Sequence, residues 1–315
     1  MKKLGVFILL MATSMASYGA SNAYCRSYAK AGVIQHINNL KHNCGFTGLR
    51  WTPLYRGQFQ WCLTVRRPIA ENEKQIRSQR LQNNCSVAPF GNIAWSTVSY
   101  WQKNKIIGAA IEAVKTDDVH ALKIFKGQKV NLTHDWEGNY GPPLYHAIDY
   151  QKPRSVRYLI RLDNPNRTAN AGPNPLSNML WDNQVNYRLL KFLLRKNTSP
   201  NGSGELNDDS AAPLYVAINV GDMRALKILL NNNADPNGFR NRSFLIEAIT
   251  RGNVRAVKLL LHHGANVNMN AERELCSNIN YPNARMPLDY ANAGGNAVII
   301  SLLTQRGAQT GAACL

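Results

Sequence analysis

Cys25, Cys44, Cys62 and Cys85 are the side chains in the N-terminal quarter that could ligate a metal, attack an electrophile or cross-link the chain. A structural zinc site draws its thiolates in short pairs of the Cys-x-x-Cys kind. Here 18, 17 and 22 residues separate successive cysteines, which fits poorly. A nucleophilic thiol needs a base beside it and a depressed pKa. His36 and His42 are near in sequence, but a cysteine held in a disulfide cannot attack. Farther on, His262-His263 end a helical pattern just before Gly264, where the C-terminal dipole favours histidine. Asp208-Asp209 precede Pro213 and put negative charge near a helix start. No Gly-rich phosphate loop, no His-Glu-x-x-His and no Gly-x-Ser-x-Gly occurs. The expectation is a chain that is no enzyme, with no cofactor and no metal, whose cysteines are covalent staples.

Staples need an oxidising compartment, and the first residues point to one. Lys2 and Lys3 precede LGVFILLMA, an apolar run too short to span a bilayer. Ser21 and Ala23 form a Ser-x-Ala cleavage pattern that would leave Tyr24 first. Residues 1–23 are therefore expected to be a signal peptide. Tyr24 stands where a lipid-anchor motif on Cys25 would need a small residue, so no anchor is expected. No later run is apolar and long enough to cross a membrane. The expected location is periplasmic or secreted. There all six cysteines, including Cys276 and Cys314, are expected to be paired.

Charge is uneven. The formal net charge is +18, and Tyr24–Lys105 holds twelve Lys/Arg against Glu71 and Glu73. In an exported chain this points away from nucleic acid. Acidic protein, lipid headgroups or an anionic envelope polymer are the expected counterparts.

The elements that must place the four cysteines can be read from spacing. Cys25, Ala29, Val33, Ile37, Leu40 and Cys44 recur at fours and a three, one face of a helix. Gly45 comes next as a stop. Gly48, Pro53 and Gly57 suggest a loop, and Pro68 starts a second helix through Ile69, Ile76 and Leu81 to Cys85. At 1.5 Å per residue the two would span about 28 Å and 25 Å. Folded antiparallel, they predict Cys25–Cys85 and Cys44–Cys62; either other pairing would join opposite ends of the hairpin. Residues 24–86 are thus expected to form a basic disulfide-linked helical hairpin, with Trp51 and Trp61 packed against it. Residues 87–106 are expected to be a capping linker, with Trp95 and Trp101 packed on the helical segment that begins at Ala109.

The rest of the chain repeats. PLYVAINVGDMRALKILLNNNADPN, from Pro213, aligns with FLIEAITRGNVRAVKLLLHHGANVN, from Phe244, at an offset of 31. Ala217 falls on Ala248, Gly221 on Gly252, Leu229-Leu230 on Leu260-Leu261 and Asn237 on Asn268. Further copies begin at Pro287, Pro143 and Pro175, and a degenerate one at Ala109. Pro suits a first helical turn, Leu226, Leu229 and Leu230 form an apolar stripe, and Gly264 suits a helix stop. Such a helix pair buries its apolar faces only by stacking on neighbours. Between Phe244 and Pro287 lies a long finger containing Cys276, whose remaining partner is Cys314.

These units resemble the ankyrin repeat, carried by Pro213, Leu214, Ala217, Gly221, Leu229, Leu230, Ala234, Asp235 and Asn237. The Thr-Pro-Leu-His of the family is nowhere intact. Cys44-Gly-x-x-Gly-x-x-Trp51 and Trp61-Cys62 resemble a short region of exported proteobacterial proteins. The expected fold is all-α: an ankyrin-repeat solenoid of about six repeats over 107–315, preceded by the stapled hairpin. The resemblance implies a protein-binding groove lined by the ends of the first helices, at Asp149 and Tyr150, Trp181 and Asp182, Asn219 and Val220, and Thr250 and Arg251. Trp136, Tyr140, Phe239, Arg240, Arg242, Arg273 and Tyr281 lie on the loop tips and join them as candidate contacts. The function expected is docking of a protein partner, as an inhibitor or immunity protein. The alternative is a tether whose basic hairpin holds an anionic polymer or lipid surface.

Overall fold

The computed structural model describes residues 19–85, 94–135, 141–167, 174–182, 184–202, 212–238, 243–269 and 286–311. Every regular element among them is helical. Contacts divide the chain into two compact units. One holds residues up to Glu137 with Arg154–Asp163, the other Gly138–Pro153 with Asn164 onward. No described helix is long and apolar enough to cross a membrane.

The first unit opens with α1 (Asn22–Lys41), capped by the Ser21 hydroxyl, which accepts the Tyr24 N–H. Cys25, Ala29, Val33 and Ile37 are buried, as their spacing demands. The helix stops earlier than expected: Asn43 takes the left-handed conformation, and Cys44 lies beyond the last turn. Ala20 is buried and donates its N–H to Val65 O at 3.1 Å. A cut after Ala23 would remove both this bond and the Ser21 cap.

The segment read as a loop contains a ten-residue helix, α2 (Tyr55–Thr64). Tyr55, Phe59, Cys62 and Leu63 give it a helical face. It packs along α1, and Gly32 permits the approach, since a Cβ there would fall 1.8 Å from Gln58 Oε1. Only Val65 and Arg66 separate α2 from α3 (Arg67–Asn84).

This third helix overturns the expected pairings Cys25–Cys85 and Cys44–Cys62. The bonds are Cys25–Cys62 and Cys44–Cys85. The chain runs up, down and up. Antiparallel α2 carries Cys62 to the start of α1, and α3, running with α1, carries Cys85 to its end. The bundle also buries a cation. Arg77 is 1% exposed, donates to Gln58 Oε1 at 2.8 Å and to Arg50 O at 3.2 Å, and lies over the Tyr28 ring. Trp51 is buried against Phe46, while Trp61 is half exposed beside Tyr28.

The degenerate first repeat belongs to this unit. Its helices are α4 (Tyr100–Lys115), started by a Ser99/Gln102 capping box, and α5 (Val119–Gly127). Both pack on α1. Lys41 Nζ donates to Gln128 O at 2.8 Å, and Gln102 Nε2 to Lys41 O at 2.9 Å. Trp101 does not cap the repeat as expected: it is 74% exposed, because its place in the first turn of α4 points it off the packed face. Val98 is the buried residue there, and Trp95 meets His134 edge-on.

The next two helices are α6 (Pro143–Asp149) and α7 (Pro153–Leu159). The second unit holds α6, while α7 from Arg154 counts with the first. After α6, the second unit continues with α8 (Pro175–Trp181), α9 (Tyr187–Leu194), α10 (Pro213–Asn219), α11 (Met223–Leu230), α12 (Phe244–Thr250), α13 (Val254–His262), α14 (Pro287–Gly294) and α15 (Ala297–Thr304). The first helices lie side by side in the order α6, α8, α10, α12, α14; α11, α13 and α15 form a second layer. Leu226, Leu229 and Leu230 fill the space between, and Gly264 is left-handed at the end of α13. Each second helix is N-capped by Asn186, Asp222, Asn253 or Asn296. Asparagines link successive loops: Asn166 Oδ1 accepts Ser199 N–H, Asn201 Oδ1 Asp235 N–H, Asn237 Oδ1 Asn266 N–H, and Asn268 Oδ1 Gln309 N–H. The expected Cys276–Cys314 bond lies outside the described residues.

Candidate functional site

In the second unit the first helices end along one edge because they lie side by side. That edge gathers the expected positions Asp149 and Tyr150, Trp181 and Asp182, Asn219 and Val220, and Thr250 and Arg251. Trp181 is 46% exposed and Val220 44%. Asp182, Thr250 and Arg251 are also exposed, and Tyr150 is half-buried.

Two fixed points organise the α6 and α8 end. Gln151, left-handed at φ 51°, donates its side-chain amide to Asp182 Oδ2 at 2.8 Å and to Gln184 O at 3.2 Å. Tyr145 is buried and accepts the Asn178 amide at 2.8 Å; burial pushes its hydroxyl up to about 12. Burial also raises the Asp149 carboxyl above its ordinary value, and the Asp182 charge adds to the rise. The Arg251 guanidinium is tied to Glu247 at 2.7 Å on α12. The edge is thus a fixed row of mixed aromatic, apolar and charged groups with exposed tips. Such a row suits contact with another surface. Among the described residues there is no group of three or more His, Cys, Asp or Glu placed to hold a metal.

Trp136, Tyr140, Phe239, Arg240, Arg242, Arg273 and Tyr281 lie outside the described residues. The role of Gln151 is not visible in spacing, because its place is that of the glycines Gly221 and Gly252 in later copies.

In the first unit, sequence reasoning missed a pair of carboxylates that joins three helices. Asp118 caps its own helix by accepting the Ala121 N–H, and its other oxygen accepts the Arg56 N–H of α2. Asp117, left-handed at φ 53°, accepts the Ser155 N–H at 2.7 Å, the Ser155 hydroxyl at 2.8 Å and the Arg154 N–H at 3.3 Å. The signal was present. Asp117-Asp118 align with Gly221-Asp222 in the clearest repeat, so Asp118 stands in the N-cap column, and Asp117 replaces a turn glycine with a side chain that can reach α7.

A family model of ankyrin repeats, in three copies, matches residues 179–271. No curated protein matches the chain in sequence. Among solved structures, an ankyrin repeat domain from Acinetobacter baumannii is similar at 22% identity and TM-score 0.52, covering 64% of this chain and 98% of that one. The human ASB11 ankyrin repeat domain is similar at 25% identity and TM-score 0.47, over 64% of this chain and 84% of that one. A chain from the complex of a predatory endopeptidase of Bdellovibrio bacteriovorus with an immunity protein gives 16% identity and TM-score 0.47, over 63% and 97%. Among the described residues the fold is therefore all-helical with ankyrin repeats, its N-terminal region cross-linked by two disulfides.

Proposed function

We propose that the chain is an exported protein-binding module that docks a protein partner along the first-helix edge of the second unit. Ankyrin repeats are protein-binding scaffolds. One observation carries the reading: Trp181, 46% exposed, stands beside exposed Asp182 where Tyr150 also ends its helix. An exposed tryptophan is the side-chain type most enriched among the residues that dominate interface energies. Within this class we read the chain as an inhibitor or immunity protein. Two disulfides support an oxidising destination.

A pull-down from envelope extract tests it, with Trp181→Ala/Asp182→Ala as the control. Loss of a specific protein with the double variant is the expected result. Recovery of every captured protein by the variant would refute the edge as the docking surface.

The basic first unit favours a second reading, a tether to an anionic envelope polymer or lipid surface. Salt separates the two. Attraction between exposed charges fades within a Debye length of about 8 Å at physiological ionic strength, whereas an apolar contact persists.

A further inference from the structure

A cleft of about 300 Å³ opens in the first unit, lined by Arg26, Tyr55, Arg56, Phe59, Asp117, Asp118, His120 and Arg154 among others. Three of these carry guanidinium groups, brought from α1, α2 and α7. All three residues are exposed, and none of the three forms an ion pair among the described residues. The two carboxylates of the lining do not neutralise them by contact. Asp118 is 5% exposed and spends both oxygens on the N–H groups of Arg56 and Ala121. Asp117 spends both on the backbone and hydroxyl of Arg154 and Ser155. These bonds spend the acids on fixing three helices and leave the three arginines of the lining without an acid partner among the described residues. The remaining lining is Gln60 and an aromatic group. Tyr55 is stacked on His120 at 5.1 Å with planes 16° apart, and on Phe59 at 6.2 Å with planes 5° apart.

A volume of this size is at the lower end of small-ligand sites. Guanidinium forks match the oxygens of carboxylate and phosphate, and an aromatic wall takes an apolar body or ring. We propose that this cleft binds a ring-bearing oxyanion, a carboxylate or phosphate carried on a hexose-sized body, gripped by Arg26, Arg56 and Arg154 against Tyr55. The site is separate from the first-helix edge and stands whether or not a protein docks there. The same chemistry is offered by a free small molecule or by the side group of an envelope polymer.

Phenyl phosphate is the probe, titrated by calorimetry into the full oxidised chain, beside inorganic phosphate and phenol. The expected result is that phenyl phosphate binds at least about tenfold more tightly than either half alone, and that Arg26→Gln/Arg56→Gln/Arg154→Gln loses about tenfold or more. The single variant Arg154→Gln should lose a smaller factor, and because all three arginines are exposed the melting temperature should hold in every variant. Alginate, whose rings carry carboxylates, identifies the source: displacement of phenyl phosphate assigns the cleft to a polymer side group, and no displacement assigns it to a free small molecule. Equal binding of phenyl phosphate and inorganic phosphate, or undiminished binding by the single and triple variants, would overturn the proposal.

Discussion

Asp118 accepts the Arg56 N–H at 2.8 Å across 62 residues of sequence, so one carboxylate starts a repeat helix and holds the disulfide-linked bundle to it. Removing an N-cap costs about 1 kcal/mol, and leaving the half-buried Arg56 N–H unpaired adds about 1–3 kcal/mol. Asp118→Ala should therefore lower stability by about 2–4 kcal/mol, and Asp118→Asn, which keeps one acceptor oxygen, by less. Denaturant unfolding of the oxidised protein checks this. Equal stability of the alanine variant and wild type would show that the bond contributes nothing.

The disulfides close loops of 37 and 41 residues. Loop-closure entropy at those lengths gives each about 4 kcal/mol. Reduction should unfold or strongly loosen the first unit. Non-reducing peptide mapping should recover Cys25 with Cys62 and Cys44 with Cys85; a peptide joining Cys25 to Cys85 would contradict the three-helix arrangement.

His36 gives the first unit a pH dependence. Burial pushes it down to about 4, against a weaker opposing backbone hydrogen bond to Trp51. The unfolded chain takes up this proton near its ordinary value of about 6.5, and the folded chain does not until about 4. Stability is complete above the upper value and falls as the pH drops through the window between them. The loss is about 3 kcal/mol, and His42, also lowered by burial, acts with the same sign. Unfolding curves from pH 7 to 4 for wild type and His36→Gln test this, with a flatter profile expected for the variant.

Asn237 Oδ1 accepts the Asn266 N–H at 2.7 Å, one rung of the asparagine ladder. Asn237→Ala should cost about 1 kcal/mol. It should also speed hydrogen exchange at the Asn266 amide more than at amides within α10. Uniform exchange across the two repeats would argue that the ladder is ornamental.

The buried Ala20 and the Ser21 cap place the folded boundary ahead of Tyr24. Any processed form that keeps this fold should therefore retain both residues. Ser14 and Ala16 put small side chains three and one before a cut that would leave Ser17 first. Intact mass of the protein purified from cells that process it decides this: a folded chain beginning at Tyr24 would show that the cap is dispensable.

The repeats were legible because their information is local and recurs. Proline at a helix start, paired leucines and a turn glycine each do the same work in every copy, and the structure shows them in that work at Pro213, Leu229, Leu230 and Gly264. The bundle was legible only in part. The apolar face from Cys25 to Ile37 declared α1, but Pro53 and Gly57 read as turn residues and hid α2, although Tyr55, Phe59, Cys62 and Leu63 share a helical face. That single omission reversed the disulfide pairing, because a third helix changes which ends meet. The Asp117-Asp118 clasp was legible as an N-cap column, but its partners were not. Its partners, Arg56 and Ser155, lie 62 and 38 residues away, and most of the donors used are backbone N–H groups, which residue type does not mark.

The most direct test of the docking edge is capture from envelope extract at low and high salt, comparing wild type, Trp181→Ala/Asp182→Ala and Arg26→Gln/Arg56→Gln/Arg154→Gln. The account predicts a salt-resistant protein partner that the arginine variant retains and the tryptophan variant loses. A partner kept equally by the tryptophan variant, or bound only at low salt, would contradict it.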